Sequence, residues 1–256
     1  MSRRAGLRIF RFLLTWLGHA AFLALTANGS FDMRRGDNGF GAGLLANYGQ
    51  GAPPGQPIQV STENLQVKLR YDRYVSERAS VFLLTTGRHD RFQGLDFRLN
   101  IDPGFKYILS SDAAYSFWAE AGYDLQYDIR RDEARGVVDA SGAPVLDASG
   151  QQTLVSKTDL DHSSRLFTGY RHAFNREVTL YTGVEYLQSV IEATRYRVNV
   201  DALFAAKVGG GLAVGLGFGA RYDHSPLSGK EKLDTSSTVS LIYSFSDVPV
   251  AAPKCP

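Results

Sequence analysis

The chain has 256 residues and 44% hydrophobic content with a mean hydropathy of −0.18. Its body lacks the run of about 20 apolar residues that a helical membrane span requires, so helical spans are excluded there. The 28 basic and 26 acidic residues leave a formal charge of +2 and are interleaved rather than blocked, so no nucleic-acid footprint arises. The single cysteine, Cys255, supplies neither a disulfide framework nor a metal-ligand spacing.

Residues 1–21 differ from the rest. Arg3, Arg4 and Arg8 precede an apolar run through Phe10, Phe12, Leu13, Leu14, Trp16 and Leu17, followed by Gly18, Ala20 and Ala21. That order resembles a secretory signal cleaved near Ala20 or Ala21. Arg11 interrupts the apolar core, and the alternative is an uncleaved, strand-like leader.

From residue 22 the pattern changes to strict alternation, the mark of a strand with two unlike faces. Leu23, Leu25, Ala27, Gly29, Phe31 and Met33 share one face, and Arg35–Gly39 closes the run as a turn. A strand follows over Phe40–Tyr48, then a loop over Gly51–Pro57, where Pro53, Pro54 and Pro57 cannot donate to a ladder. Leu65, Val67, Leu69 and Tyr71 next oppose Asn64, Gln66, Lys68, Arg70 and Asp72. Leu95, Phe97, Leu99 and Ile101 oppose Asp96, Arg98, Asn100 and Asp102. The longest copy sets Tyr115, Phe117, Ala119, Ala121, Tyr123, Leu125, Tyr127 and Ile129 against a face that includes Trp118, Glu120, Asp124, Gln126, Asp128 and Arg130.

Arg131–Ser156 is the only long irregular segment. Beyond it, Tyr196, Val198, Val200, Ala202 and Phe204 oppose Arg195, Arg197, Asn199 and Asp201. Leu212–Tyr222 alternates apolar residues with glycines and ends its polar face on Arg221 and Asp223. The last strand, Leu233–Phe245, closes on Leu241, Tyr243 and Phe245, and residues 246–256 form a tail rich in Pro and Ala.

These runs give about eleven strands, most of them reaching the ~9–11 residues that cross a bilayer when tilted. Bacterial single-chain barrels close with an even number. A twelfth strand is therefore expected, and its place is before Leu23. Turns near Asp37, Ser76, Ser110, Asn175 and Gly210 fall on one side, while the proline loop, the Arg91 turn, Arg131–Ser156, the Ser189 turn and the Pro226 loop fall on the other. The long connections thus sort to one face, as short periplasmic turns and longer outer loops do. Tyr71, Tyr74, Tyr107, Tyr170, Tyr222 and Tyr243 stand near strand ends, where aromatic girdles mark the lipid–water boundary. Alternation alone also allows a soluble barrel with its apolar face inside. Strand length, loop sorting and aromatic placement favour the membrane.

The motifs Tyr74-Val75-Ser76-Glu77-Arg78, Asp90–Leu99, Arg221–Pro226 and Gly229–Thr235, with the closing Leu241-Ile242-Tyr243-Ser244-Phe245, resemble the salt-induced outer-membrane protein family, a domain of unknown function, over roughly 30–245. The resemblance implies an outer-membrane β-barrel and carries over no catalytic residue, cofactor or substrate. The family's first hairpin is not visible before Leu23.

The expectation is an all-β chain: a single antiparallel transmembrane barrel of about 12 strands over 22–245, in the bacterial outer membrane, its partners being membrane lipid and the barrel-assembly machinery. Its inward face would carry Arg70, Asp72, Asp96, Arg98, Glu120, Asp124, Arg165, Arg197, Asp201, Arg221 and Asp223. Such charges either satisfy one another or line a narrow aqueous pore. Mixed signs predict weak ion selectivity. No cofactor and no metal is expected.

Catalysis is the weaker reading. His162, Ser163 and Ser164 lie near Asp159 and Asp161, but residues of one strand face point outward in parallel rather than at each other, and no Gly-x-Ser-x-Gly elbow exists. Gly215, Gly217 and Gly219 alternate inside a strand and open no helix, so they make room for neighbours rather than cradle a phosphate. The leading function is a structural or passive small-solute pore. A rim hydrolase and a soluble, secreted ligand-binding barrel are the alternatives.

Overall fold

Alternating strands of this length leave one continuous apolar face, and closing the sheet on itself is the way to have no unpaired edge. The computed structural model describes residues 3–9, 22–52, 57–139 and 141–246. It is a closed antiparallel barrel of twelve strands, each paired with its neighbours in sequence and the last with the first. The strands are β1 (Arg3–Ile9), β2 (Phe22–Arg35), β3 (Asn38–Gly51), β4 (Gln59–Tyr74), β5 (Ala79–Asp90) and β6 (Leu95–Ser111). They continue as β7 (Tyr115–Arg130), β8 (Thr158–Ala173), β9 (Val178–Ser189), β10 (Tyr196–Gly209), β11 (Leu212–Asp223) and β12 (Leu233–Ser246).

The barrel is inverted relative to a soluble protein. Leu69, Leu166 and Leu216 are 46%, 55% and 52% exposed, while Asp124 and Gln126 are 1% exposed and Arg165 is 4% exposed. The apolar stripes face out and the charges face in, the reverse of a soluble ligand-binding barrel. Strands β2 to β12 run from 12 residues in β5 to 17 in β6, longer than a hydrocarbon crossing alone demands.

Closure comes from the segment that reads as a leader. Strand β1 pairs with β2 through Arg3↔Arg35 to Ile9↔Gly29, and with β12 through Gly6↔Ser246 to Ile9↔Tyr243. The twelfth strand therefore lies before Leu23, as expected. The apolar run of the leader, Pro53 and Pro54, Cys255 and the tail from 247 lie outside the described residues.

The segment 131–157 adds no barrel strand. It opens with one turn of 3-10 helix (Asp132–Ala134) and then folds on itself through the bridges Gly136↔Leu154, Val138↔Pro144 and Leu146↔Gln152. Because it adds no crossing, the loop sorting stands: short turns close one end of the barrel and the longer connections gather at the other.

Two face assignments are corrected. Leu95 does not share the outward face of Phe97, because the register shifts between them and the bulge turns Leu95 inward to 3% exposure. Tyr74 is not part of a girdle. Its ring lies inside, under the Arg34 guanidinium at 3.7 Å and against the position a Cβ of Gly39 would take. Tyr71, Tyr107 and Tyr243 are outward and exposed, as girdle residues must be. Tyr222 lies beside Tyr196, which continues to Tyr186, in tilted ring pairs with centroids 5.8 and 6.1 Å apart.

Candidate functional site

Each inward position on one strand meets inward positions on its neighbours, so charges alternating along the sequence become rows across the wall. The principal row begins at Asp72 on β4. Arg70 holds Asp72 in a two-point contact, Nε to Oδ2 at 2.8 Å and Nη2 to Oδ1 at 3.0 Å, and Ser80 donates to Oδ1 at 3.1 Å. The same guanidinium reaches past β5 and β6 to Glu120 on β7 at 2.9 Å. Glu120 also accepts from Arg165 on β8 at 3.1 Å, and Arg165 Nε contacts Glu185 on β9 at 2.7 Å. Asn199 on β10 completes the row at 2.8 Å from Glu185.

A second row lies nearer the loops. Arg98 forms a fork on Asp128 with both bonds at 2.7 Å, and Asn100 donates to Asp124 at 2.6 Å. Arg197 crosses from β10 to β7, where it meets Asp124 at 3.1 Å and Gln126. Arg88 pairs with Asp90 at 2.6 Å. Asp102 stands one step from the Ile101↔Leu125 pair, opposite Asp124, and its buried Oδ1 has no hydrogen-bond partner. Among the described residues it is the one buried side-chain polar atom in that condition.

Aromatic rings that the alternation pattern does not flag fill the lower lumen. Phe82 is 5% exposed, with Arg70 over its face at 4.1 Å. Arg165 lies 5.5 Å from the Phe167 ring, Lys106 lies 4.9 Å from Trp118, and Tyr181 packs 6.1 Å from Trp118. Cations over ring faces are attracted by the ring quadrupole, so these rings hold the arginines and lysine in place rather than expel them. The signal available in the sequence was parity: Phe82, Phe167 and Tyr181 occupy the polar phase of their strands.

The lumen is uneven. On β5 to β9 the inward polar residues Ser80, Asp102, Glu120, Asp124, Ser163 and Arg165 are buried. On the other walls, Lys68 of β4, Asp201 of β10 and Ser236 of β12 point inward and are exposed. Arg221 pairs with Asp201 at 2.6 Å, and their side chains are 38% and 52% exposed. Arg70, Asp72, Arg98, Glu120, Asp124, Arg165 and Arg197 are thus joined in the rows, Asp201 and Arg221 form a separate open pair, and two expected lumen residues sit at the rim. Asp96 turns to Arg131 at 3.1 Å and Lys157 at 3.5 Å, and Asp223 accepts from the Ser225 N–H at 2.9 Å.

Three connections meet over the mouth. Lys230 donates to the Phe92 carbonyl at 2.7 Å, and Gln93 Nε2 donates to Asp234 at 3.2 Å, although the β5–β6 turn and the β11–β12 loop rise from opposite sides of the ring. Ser228 and Val138 exchange bonds of 3.0 and 2.7 Å, and Arg131 N–H donates to Gly94 O at 2.9 Å. Gly94 has φ +74, and a Cβ there would lie 2.4 Å from Ala134, so only glycine admits this approach. A cleft of about 570 Å³ remains between the three, lined by Arg91, Phe92, Arg131, Glu133, Leu154 and Lys230.

In the β7–β8 loop a short repeat appears, Val138-Asp139-Ala140-Ser141-Gly142 and Leu146-Asp147-Ala148-Ser149-Gly150. Asp139 Oδ1 accepts from Ser141 N–H and hydroxyl at 2.8 and 2.6 Å, and Asp147 Oδ1 does the same with Ser149. These bonds favour the ionised carboxyls and hold both below the usual aspartate value.

The histidine region makes different contacts. His162 lies on the outer face and its Nδ1 bonds the Tyr123 hydroxyl, Ser164 donates to Gln188 O at 3.4 Å, and Asp161 faces inward to Ser189 and Arg195. His89 Nδ1 meets Asp96 O at 2.8 Å.

An apolar exterior, a charged interior and loops sorted to one end define a barrel of the porin architecture. The match extends over residues 23–245 to the family described as Protein of unknown function, DUF481, and the chain belongs to that family. No curated protein matches it in sequence. Among solved structures it resembles the NanC porin with a TM-score of 0.50 at 10% identity, over 93% of this chain and 98% of that one. The monoaromatic hydrocarbon channel CymD matches at a TM-score of 0.37 and 10% identity, over 95% of this chain and 88% of that one. A porin refined at 1.8 Å matches at 0.38 and 12%, over 86% of this chain and 62% of that one.

Proposed function

We propose that the protein is a passive channel of the bacterial outer membrane for small hydrophilic solutes. The observation that carries this reading is that Lys68 and Asp201 point into the barrel and are nonetheless exposed, which supports an aqueous interior. Leu69 and Leu216, on the opposite faces of β4 and β11, suit acyl chains. The porin likeness supports the same architecture, and the resemblance to salt-induced outer-membrane proteins supports the location. The closing strand, with Leu241 and Tyr243 outward, supports insertion by the barrel-assembly machinery.

A rim hydrolase would need His162 against a serine, and its bond to Tyr123 favours a girdle role instead. Reconstitution in planar bilayers tests the channel. Discrete conductance steps are expected from a species that migrates compactly on gels until heated, and a barrel that folds in detergent but never conducts would overturn the reading.

A further inference from the structure

The lumen rows are not centred. From Asp72 through Arg70, Glu120, Arg165 and Glu185 to Asn199 the side chains are joined wall to wall along β4 to β10, and within the row two guanidiniums hold three carboxylates. A solute would have to break several charge-assisted bonds to pass there. Opposite, glycines and serines shorten the wall: Gly219 and Ser236 are paired residues, and a Cβ on Gly219 would lie 3.0 Å from Ser236 Oγ and 3.7 Å from Asp201 Oδ1. The exposed, inward Lys68, Asp201 and Ser236 belong to this side.

We propose that solutes cross off the barrel axis, between the Arg70–Glu185 row and the wall of β10 to β12, and that Lys68, by offsetting the surplus carboxylate of the row, keeps this passage from favouring cations. The proposal rests on the channel reading and specifies its route. Lys68 forms no ion pair among the described residues, yet its charge is within electrostatic reach of Glu185 across the lumen. Its Cβ stands 3.7 Å from where a Cβ of Gly43 would be, beside the glycines of β3, and the residue is exposed. Asp201 is already held by Arg221 at 2.6 Å and presents a neutral pair. The surplus carboxylate of the row, the Lys68 ammonium and the Asp201–Arg221 pair therefore sum to no net charge along the passage. Small hydrophilic solutes pass with weak charge discrimination, and Lys68 is the residue whose removal tilts the passage towards cations.

The test uses the full barrel with Cys255→Ser and single cysteines at Ser236 or Ser163, each variant first shown to be heat-modifiable. Anionic sulfonatoethyl methanethiosulfonate should label Ser236→Cys quickly and lower the conductance, whereas Ser163→Cys, at a site 1% exposed, should stay protected. In a potassium chloride gradient Lys68→Glu should lower the anion-to-cation permeability ratio. Equal labelling of the two thiols, protection of Ser236→Cys, or an unchanged ratio in Lys68→Glu each overturns the proposal. A parent barrel that does not conduct overturns the channel reading itself, while the labelling pattern in detergent still judges the off-axis aqueous space.

Discussion

Lys230 Nζ lies 2.7 Å from the carbonyl of Phe92, so a loop from one wall of the barrel is fastened to a turn on the opposite wall. With Gln93–Asp234 and Ser228–Val138 the strap has several bonds, all of them at exposed groups. Hydrogen bonds of this kind contribute about 0.5–1.5 kcal/mol net each, so the strap is held cooperatively rather than by one contact. Deleting residues 226–229 should raise single-channel conductance without altering the heat-modifiable gel shift. Lys230→Ala alone should give a smaller rise. Unchanged conductance in the deletion would show that entry is limited deeper, at the level of Lys68.

Glu120 is the shared acceptor of Arg70 and Arg165, and its side chain is 3% exposed. Removing one member of a buried charged set leaves the others uncompensated, at a cost of ~3–5 kcal/mol. Glu120→Gln should therefore lower the urea midpoint of the folded barrel markedly. Glu120→Leu combined with Arg165→Met and Glu185→Gln should recover much of the loss, because that set leaves the Arg70–Asp72 pair intact and no carboxylate without its cation. If the single variant unfolds at the parent midpoint, the row is fully hydrated and does not stabilise the wall.

Faces were legible in the sequence because alternation is a property of one strand. Lys68, Arg70 and Asp72 share one phase of β4, opposite Leu65, Val67, Leu69 and Tyr71. What alternation does not contain is the neighbour three strands away: Arg70 and Lys68 read alike, yet one is held by Asp72 and Glu120 while the other forms no ion pair among the described residues. The same blindness hid the rows, the uneven lumen and the strap. Leu95 and Asp96 were misread for a local reason, a bulge that shifts the phase at the rim. The twelfth strand was placed but not seen, since Arg3, Arg4 and Arg8 serve equally well as the basic start of a leader.

Acidification should loosen the outer repeat. Bonds from Ser141 and Ser149 depress the folded values of Asp139 and Asp147, so their contribution is fully present above the ordinary aspartate value and is lost as pH falls through the depressed one. Hydrogen exchange of the 138–152 amides should accelerate at low pH while the strand amides stay protected. Asp139→Asn with Asp147→Asn keeps the acceptor oxygen and removes the titration, so the doubly substituted loop should show no acid-induced acceleration. Acceleration of equal size in that variant would place the titrating groups elsewhere.

Trp118 and Gly169 are paired residues on β7 and β8, and the indole lies across the glycine so closely that an added Cβ would sit 2.2 Å from Trp118 Cζ2. No real contact is that short, and the ring is further hemmed by Phe167, Tyr181 and the Lys106 ammonium. Gly169→Ala must therefore displace the indole, breaking the aromatic layer below the Arg165 row, with a loss of the ~1–3 kcal/mol typical of overpacking. Trp118→Ala frees the space, and in that background Gly169→Ala should cost much less. Urea midpoints of the four proteins of the cycle give a coupling energy between the two sites. A cycle that closes with no coupling would mean that the indole does not occupy this position on the lumen wall.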